Sequence, residues 1–327
     1  MMTKEVPKFL LNIFSVLILL LSSILSNAQN YPDHPIRILQ GFAPGGNADS
    51  IARAVSDEMG KGLSQSFIVD AQTGAGGTIA ATTVSRAKPD GYTLLLATGG
   101  HAVAGALYSN LAYRTVQDFD MIGTITYFPF LIVVKNDGKV QNLSSLLQDA
   151  KLNPDKVSYG SAGIGSTHHL AGELLSSMSK TQLLHIPYKG DAASVVALLS
   201  GDLPMIIAPP TAVMSNIKAG KLRAIATTGP QRWPGLPDVP TVAEQGIPGY
   251  DVRSWAGLMA PAGMSRPILD RLNVELQKAL LVPTVRNKLE DMGGEVKGST
   301  PEEMKVMVSN QTQKWIQVVN DAKIPKQ

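Results

Sequence analysis

The chain has 327 residues, a formal charge of +3, 44% apolar residues and no cysteine. Zero cysteines exclude disulfides, thiolate metal sites and cysteine nucleophiles. A near-neutral balance without basic clusters argues against a nucleic-acid groove.

The N-terminus reads as a targeting signal. Lys4 and Lys8 precede a long apolar stretch from Phe9 to Leu25, and Ser26-Asn27-Ala28 offers the small residues a signal peptidase reads. Cleavage after Ala28 and residence in the periplasm are expected. The competing reading is an uncleaved anchor, because the apolar run is nearly long enough to span a bilayer. Asn12, Ser15, Ser22 and Ser23 weaken that reading, and no cysteine follows the run to carry a lipid. Removing residues 1–28 leaves roughly 300 residues, more than one usual core, so two domains are expected.

The mature chain then alternates strand and helix patterns. Ile36–Leu39 reads as a strand and Ser50–Val55 as a helix, joined by the glycine-rich turn Phe42-Ala43-Pro44-Gly45-Gly46-Asn47-Ala48-Asp49. Phe67–Val69 and Ile79–Arg86 repeat the unit around Gly74-Ala75-Gly76-Gly77-Thr78. Glycine admits close backbone approach, and a helix start offers free N–H groups, so the two turns form an anion seat. Neither is a dinucleotide fingerprint or a phosphate loop, since the third glycine and the Gly-Lys pair are missing. Thr93–Ala97, apolar on both faces, reads as a buried parallel strand closed by Thr98-Gly99-Gly100. Strands follow at Met121–Ile125 and Phe130–Val134.

A second alternating block begins near Val140. Leu143–Ala150 reads as a helix, Val157–Tyr159 as a strand, and Gly160–Thr167 as a third glycine-rich turn before a helix over His169–Met178. Further strands are expected at Leu183–Ile186, Met205–Ala208 and Arg223–Ala226, with a helix over Ala192–Leu199. Pro230–Pro248 reads as an irregular connector, Trp255–Ala260 as a strand, and Pro267–Leu281 and Pro301–Ala322 as helices. Such alternation implies α/β layers with parallel strands, and a glycine turn in each half implies two similar lobes around a cleft.

The order of motifs resembles a specific family. Pro44-Gly45-Gly46-x-x-Asp49, Gly74-Ala75-Gly76-Gly77, Ala87-Lys88-Pro89-Asp90-Gly91-Tyr92, Tyr159-Gly160-Ser161-Ala162-Gly163, His169-Leu170-Ala171-Gly172-Glu173, His185-Ile186-Pro187-Tyr188-Lys189-Gly190 and Leu236-Pro237-Asp238-Val239-Pro240-Thr241 stand in order over the mature chain. They resemble the periplasmic solute-binding proteins of tripartite tricarboxylate transporters, the Bug or TctC family. The resemblance implies a two-lobed Venus-flytrap α/β protein, each lobe a mainly parallel sheet flanked by helices. Residues 29–134 plus 251–327 would form lobe 1, and residues 135–250 lobe 2. It implies a monomer without cofactor or metal that captures a small organic anion, a di- or tricarboxylate, aromatic acid or amino acid. The anion would pass to membrane permease subunits.

The site residues follow from the motifs. Gly45, Gly46, Gly76 and Gly77 would hold a carboxylate through backbone groups, against the plainer reading of tight turns. Asp49 either caps its helix or faces the ligand; the two readings are compatible. Ser161, Gly165, Ser166 and Thr167 would hold the ligand's other end, against a simple N-cap by Ser166 or Thr167. Thr98 and Ala208 are placed by position at strand ends. Phe42 and Tyr188 either wall the cleft or pack in the core. The pair His168-His169 diverges on a helix and is a poor metal chelate. The chain departs from the family's pattern at Gln72, Pro204, Ala208 and Asp191, the last in place of a small residue. Two other functions compete: a sensor subunit docking on a membrane kinase, and a serine hydrolase using Ser161 with His169 or His185 as base.

Overall fold

The computed structural model describes residues 31–327, so the signal segment and its cleavage site at Ala28 lie outside the described residues. Chain order begins β1 (Ile36–Gln40), α1 (Asn47–Leu63), β2 (Phe67–Ala71), α2 (Thr78–Ser85), β3 (Thr93–Thr98), α3 (Gly99–Leu107), β4 (Phe119–Pro129) and β5 (Leu131–Lys135). It continues α4 (Leu143–Leu152), β6 (Ser158–Ser161), α5 (Thr167–Ser179), β7 (Leu184–Pro187), α6 (Asp191–Ser200), β8 (Met205–Ala208), α7 (Pro210–Lys218) and β9 (Leu222–Thr227). It closes with β10 (Arg253–Pro261), α8 (Arg266–Leu281), α9 (Pro283–Asp291), β11 (Glu295–Val296) and α10 (Pro301–Asp321).

The strands form two sheets, ordered β11-β4-β10-β3-β1-β2 and β7-β6-β8-β5-β9. Both are mixed. β10 runs antiparallel between β3 and β4, and β5 antiparallel between β8 and β9. These two strands follow the two crossings of the chain between sheets, so they enter from the opposite direction to the βαβ strands around them. Most strands in each sheet still share one direction, and the architecture is the expected two-lobed α/β form.

Alternation explains why the central strands β3 and β5 are apolar over their middle residues. On β3, Leu94 and Leu96 enter one hydrophobic cluster while Leu95 and Ala97 enter another on the opposite face. On β5, Ile132 and Val134 face one cluster and Leu131 and Val133 the other. A period of two with both faces covered leaves no room for polar residues.

Three differences from the sequence expectation matter for the cleft. Residues 131–134, expected to end lobe 1, pair in the second sheet as part of β5, because the chain crosses at Phe130 immediately after the eleven-residue β4. Gly99 and Gly100, expected to close a strand, instead open α3, and its glycines permit close packing, an added Cβ on Gly99 meeting Ser254 and Thr167 and one on Gly105 meeting Thr115 and Thr312. α7 and α9, each with proline in its first turn, were not anticipated. α10 begins with a capping box, Thr300 Oγ1 accepting from the Glu303 amide and Glu303 Oε2 from the Thr300 amide. It packs on α3 and β4, which places the C-terminal helices in the first lobe. Among the described residues no helix is long and apolar enough to cross a membrane.

Candidate functional site

The cleft wall starts from Gln40, the fully buried last residue of β1. Its side-chain amide donates to the Phe42 carbonyl at 2.8 Å, and its Oε1 accepts from the Phe42 amide at 2.8 Å. This two-point clamp aims the Phe42 ring into the space between the lobes. Gly41 allows the two glycine turns of lobe 1 to touch, for a Cβ there would lie 2.3 Å from Gly77 Cα. Gln40 carried no motif signal.

The first turn spends its glycine amides internally. Gly45 N donates to Asp49 Oδ2 at 3.1 Å and Gly46 N to the Ala43 carbonyl at 3.2 Å. Gly45 and Gly46 therefore shape the loop, and the expected anion seat on their amides is corrected. The unclaimed donors of a helix first turn fall at Asn47 and Ala48, and both residues line the inner cavity. Asp49 is buried within its own loop, accepting also from Arg53 Nε at 2.9 Å and Arg53 Nη2 at 3.1 Å. Burial raises its pKa, but the Arg53 and Gly45 hydrogen bonds outweigh it and hold the carboxyl below its usual value. Asp49 thus ties the turn and does not line the cavity.

The second turn is a 3₁₀ turn over Ala75–Gly77, with Gly76 at φ +63° and Gly77 at φ +97°. Both line a pocket behind Phe42 together with Thr98 and His101. Thr98 is the N-cap residue of α3, but its hydroxyl makes no capping bond, and the residue also lines the inner cavity.

The second lobe presents the turn between β6 and α5. Ser161 is fully buried, sharing a 2.6 Å hydrogen bond with His185 Nε2 and accepting from the Gly163 amide at 3.1 Å. Ser166 donates to the Gly163 carbonyl at 2.6 Å and caps the His169 amide at 3.3 Å. Two of the three expected ligand hydroxyls are therefore engaged within the lobe, Ser161 by its loop and by His185 of β7 and Ser166 by its loop. Ala208 also departs from expectation: alternation on β8 turns it into the core with Ile206. Thr167 lines the inner cavity, Tyr188 lines the outer mouth, and Gly165 packs on Gly76 of the facing lobe.

The lobes meet glycine on glycine. A Cβ on Gly76 would lie 2.7 Å from the Gly165 carbonyl carbon, and Thr211 Oγ1 of α7 donates to Asn47 Oδ1 across the gap at 3.1 Å. Between them lies an inner cavity of about 30 Å³, walled by Phe42, Asn47, Thr98, Phe128 and Ser254 from one side and Thr167, His168, Asp191 and Pro209 from the other. A mouth of about 820 Å³ opens outward between Pro44, Gly74, Ala162 and Lys189.

His168 and His169 diverge as adjacent helical residues do. His168 faces the inner cavity, while His169 stacks on His185 in the lobe interior with ring centroids 4.1 Å apart. Burial pushes His169 down to about 4, and burial with the neighbouring His169 pushes His185 down to about 3. The Ser161–His185 pair has the spacing of a nucleophile and base, but neither residue lines any of the three cleft cavities. Among the described residues no group of three or more His, Asp or Glu side chains is placed to hold a metal.

Two lobes of mixed sheet joined by two crossings, with helix starts and glycine turns facing the gap between them, define a solute-binding protein of the periplasmic Venus-flytrap class. A family model described as the tripartite tricarboxylate transporter family receptor matches residues 51–324. The chain belongs to that family. It is 36% identical to the periplasmic binding protein BugD, covering 91% of this chain and all of that one with a TM-score of 0.86. It is 32% identical to a Rhodopseudomonas palustris protein solved with adipate, covering 91% of this chain and all of that one, TM-score 0.86. It is also 32% identical to MatC from Rhodopseudomonas palustris with bound malate, covering 88% of this chain and all of that one, TM-score 0.84.

Proposed function

We propose that this protein captures a small organic carboxylate in the periplasm and delivers it to the permease subunits of a tripartite tricarboxylate-type transporter. The supporting observation is the facing of helix starts across the inner cavity. The α1 start at Asn47–Ala48 and the α3 start at Thr98 oppose the α5 start at Thr167. Backbone N–H groups and helix dipoles then stabilise negative charge with no lysine or arginine in the cavity wall. The solved relatives with adipate and malate carry the same ligand class.

The inner cavity of about 30 Å³ admits one or two waters and no organic acid. Admission therefore requires the lobes to part at their two crossings, as hinge closure does in binding proteins. The mature chain acts as a monomer, with Phe42 and Tyr188 as cleft walls.

Titrating the purified protein, residues 29–327, with mono-, di-, tri- and aromatic carboxylates while following thermal unfolding tests this reading. A ligand at a hundred times its Kd raises stability by about 2.7 kcal/mol and shifts the midpoint upward. A flat response across the panel would sink it.

A further inference from the structure

The inner cavity has one polar end that the loops do not use. Among its lining residues the only titratable side chains are His168, at the second position of α5, and Asp191, at the first position of α6. His168 is 8% exposed. Its Nε2 lies 3.2 Å from Asp191 Oδ1, at ion-pair distance but out of hydrogen-bond alignment. Both His168 ring nitrogens and Asp191 Oδ1 are buried without a hydrogen-bond partner in the protein. Buried polar atoms of this kind cost free energy unless something pairs with them.

The arrangement around the pair is rigid. The His168 ring packs on Phe130 with centroids 4.3 Å apart, and Phe130 is fully buried at the crossing between β4 and β5. Asp191 is held by the start of α6, whose Ser194 hydroxyl donates to the Asp191 carbonyl at 2.8 Å. The buried acid of the cleft region, Asp49, is already matched by Arg53 and the Gly45 amide. Asn47 Oδ1 is engaged by Thr211. The unmatched acceptor capacity of the cavity is therefore concentrated at Asp191.

We propose that the His168–Asp191 pair selects the far end of the ligand, and that it selects a hydrogen-bond donor. The preferred solute is a monocarboxylate carrying a hydroxyl or ammonium group away from its carboxylate. A second carboxylate at that end meets the Asp191 charge at close range, with little water between to screen it. A plain alkyl end leaves Asp191 Oδ1 and the imidazole nitrogens unpaired. A donor satisfies Asp191 while the carboxylate sits on the opposite helix starts. This inference rests on the carboxylate-capture reading and narrows it.

The test is isothermal titration of the protein comprising residues 29–327 with four end groups at four, five and six carbons: hydroxy acid, amino acid, plain monocarboxylate and dicarboxylate, the four-carbon set being 4-hydroxybutyrate, 4-aminobutyrate, butyrate and succinate. At one chain length a donor-bearing acid is expected to bind roughly ten-fold or more tightly than both the plain acid and the diacid, the yield of one hydrogen bond to a charged group. Asp191→Asn and His168→Gln should shrink that ratio below about three-fold while the unfolding midpoint stays near that of the parent. If the diacid binds as tightly as the donor-bearing acids, or the ratio survives both substitutions, the selection is overturned and carboxylate capture stands. If no acid in the panel binds, both readings fall together.

Discussion

Phe130 and Thr228 are bonded to each other through both backbone and side chain. The Phe130 amide donates to Thr228 Oγ1 at 2.8 Å, and the Thr228 amide donates to the Phe130 carbonyl at 3.0 Å. The same hydroxyl donates to the Val252 carbonyl at 2.7 Å. Phe130 lies on one crossing between the sheets, and Thr228 and Val252 bracket the other, so a single buried hydroxyl fastens the two hinge strands together.

Thr228→Val keeps the volume and removes that fastening. It leaves the Phe130 amide and the Val252 carbonyl buried without a partner, at a cost of about 1–3 kcal/mol. Thr227→Val is the contrast, because the Thr227 hydroxyl reaches the Phe130 carbonyl only at 3.5 Å. Chemical denaturation should show the large loss at Thr228 alone. Equal losses at both positions would remove the special role of the hinge hydroxyl.

Gly76→Ala tests the closure of the lobes. Its φ of +63° costs a side chain roughly 1–2 kcal/mol, and the new Cβ would meet the Gly165 carbonyl of the facing lobe at 2.7–2.8 Å. Gly220→Ala has a similar φ of +70° with nothing within 4 Å. The two variants should lose comparable stability. Only Gly76→Ala should also weaken carboxylate binding, by roughly ten-fold or more, and remain open in small-angle scattering with ligand. Equal affinities would mean that the two loops do not need to touch.

Element order was legible because apolar runs of period two and glycine turns leave strong local marks. The location of β5 was not, since Leu131–Lys135 carries the same apolar pattern whichever sheet it joins. The site was legible to the loop and misplaced within it. Gly45, Gly46, Ser161 and Ser166 have the right chemistry for an anion, but each is bonded to its own turn. Those internal bonds are local, spanning two to four residues, but they depend on loop conformation that leaves no sequence period. Asn47 and Ala48 lay inside the motif without being singled out. Phe128, Ser254 and Pro209 come from strand ends far apart in the chain and carry no motif at all.

Arg53→Ala tests the ion pair that ties Asp49 into its loop. Asp49 is buried and Arg53 half exposed, so the pair contributes at most about 1 kcal/mol after solvent screening. The Asp49 carboxyl is held below its ordinary value in the folded protein. Its contribution is therefore full above the ordinary carboxylate value of about 3.9 and disappears as pH falls through the lowered one. Stability curves of parent and variant should run apart at neutral pH and converge in acid. A gap that persists at the lowest pH would assign the loss to Arg53 packing instead of charge.

Acid should unfasten the second lobe through its buried imidazoles. His169 and His185 are stacked in its interior with values of about 4 and about 3, against an ordinary value near 6.5. Between those limits the unfolded chain binds protons that the folded one refuses. Stability is then complete above about pH 6.5 and falls as pH drops toward 4, by up to about 1.4 kcal/mol per pH unit for each imidazole. His185→Gln provides an amide that can still meet the Ser161 hydroxyl and removes one titrating group. The slope of stability against pH in this window should fall by the share of one histidine, while the plateau above pH 7 changes little. An unchanged slope would show that His185 protonates as readily inside the lobe as outside it. The Ser161–His185 contact would then be an ordinary solvated hydrogen bond, not a buried neutral pair beneath the turn that carries Thr167 and His168.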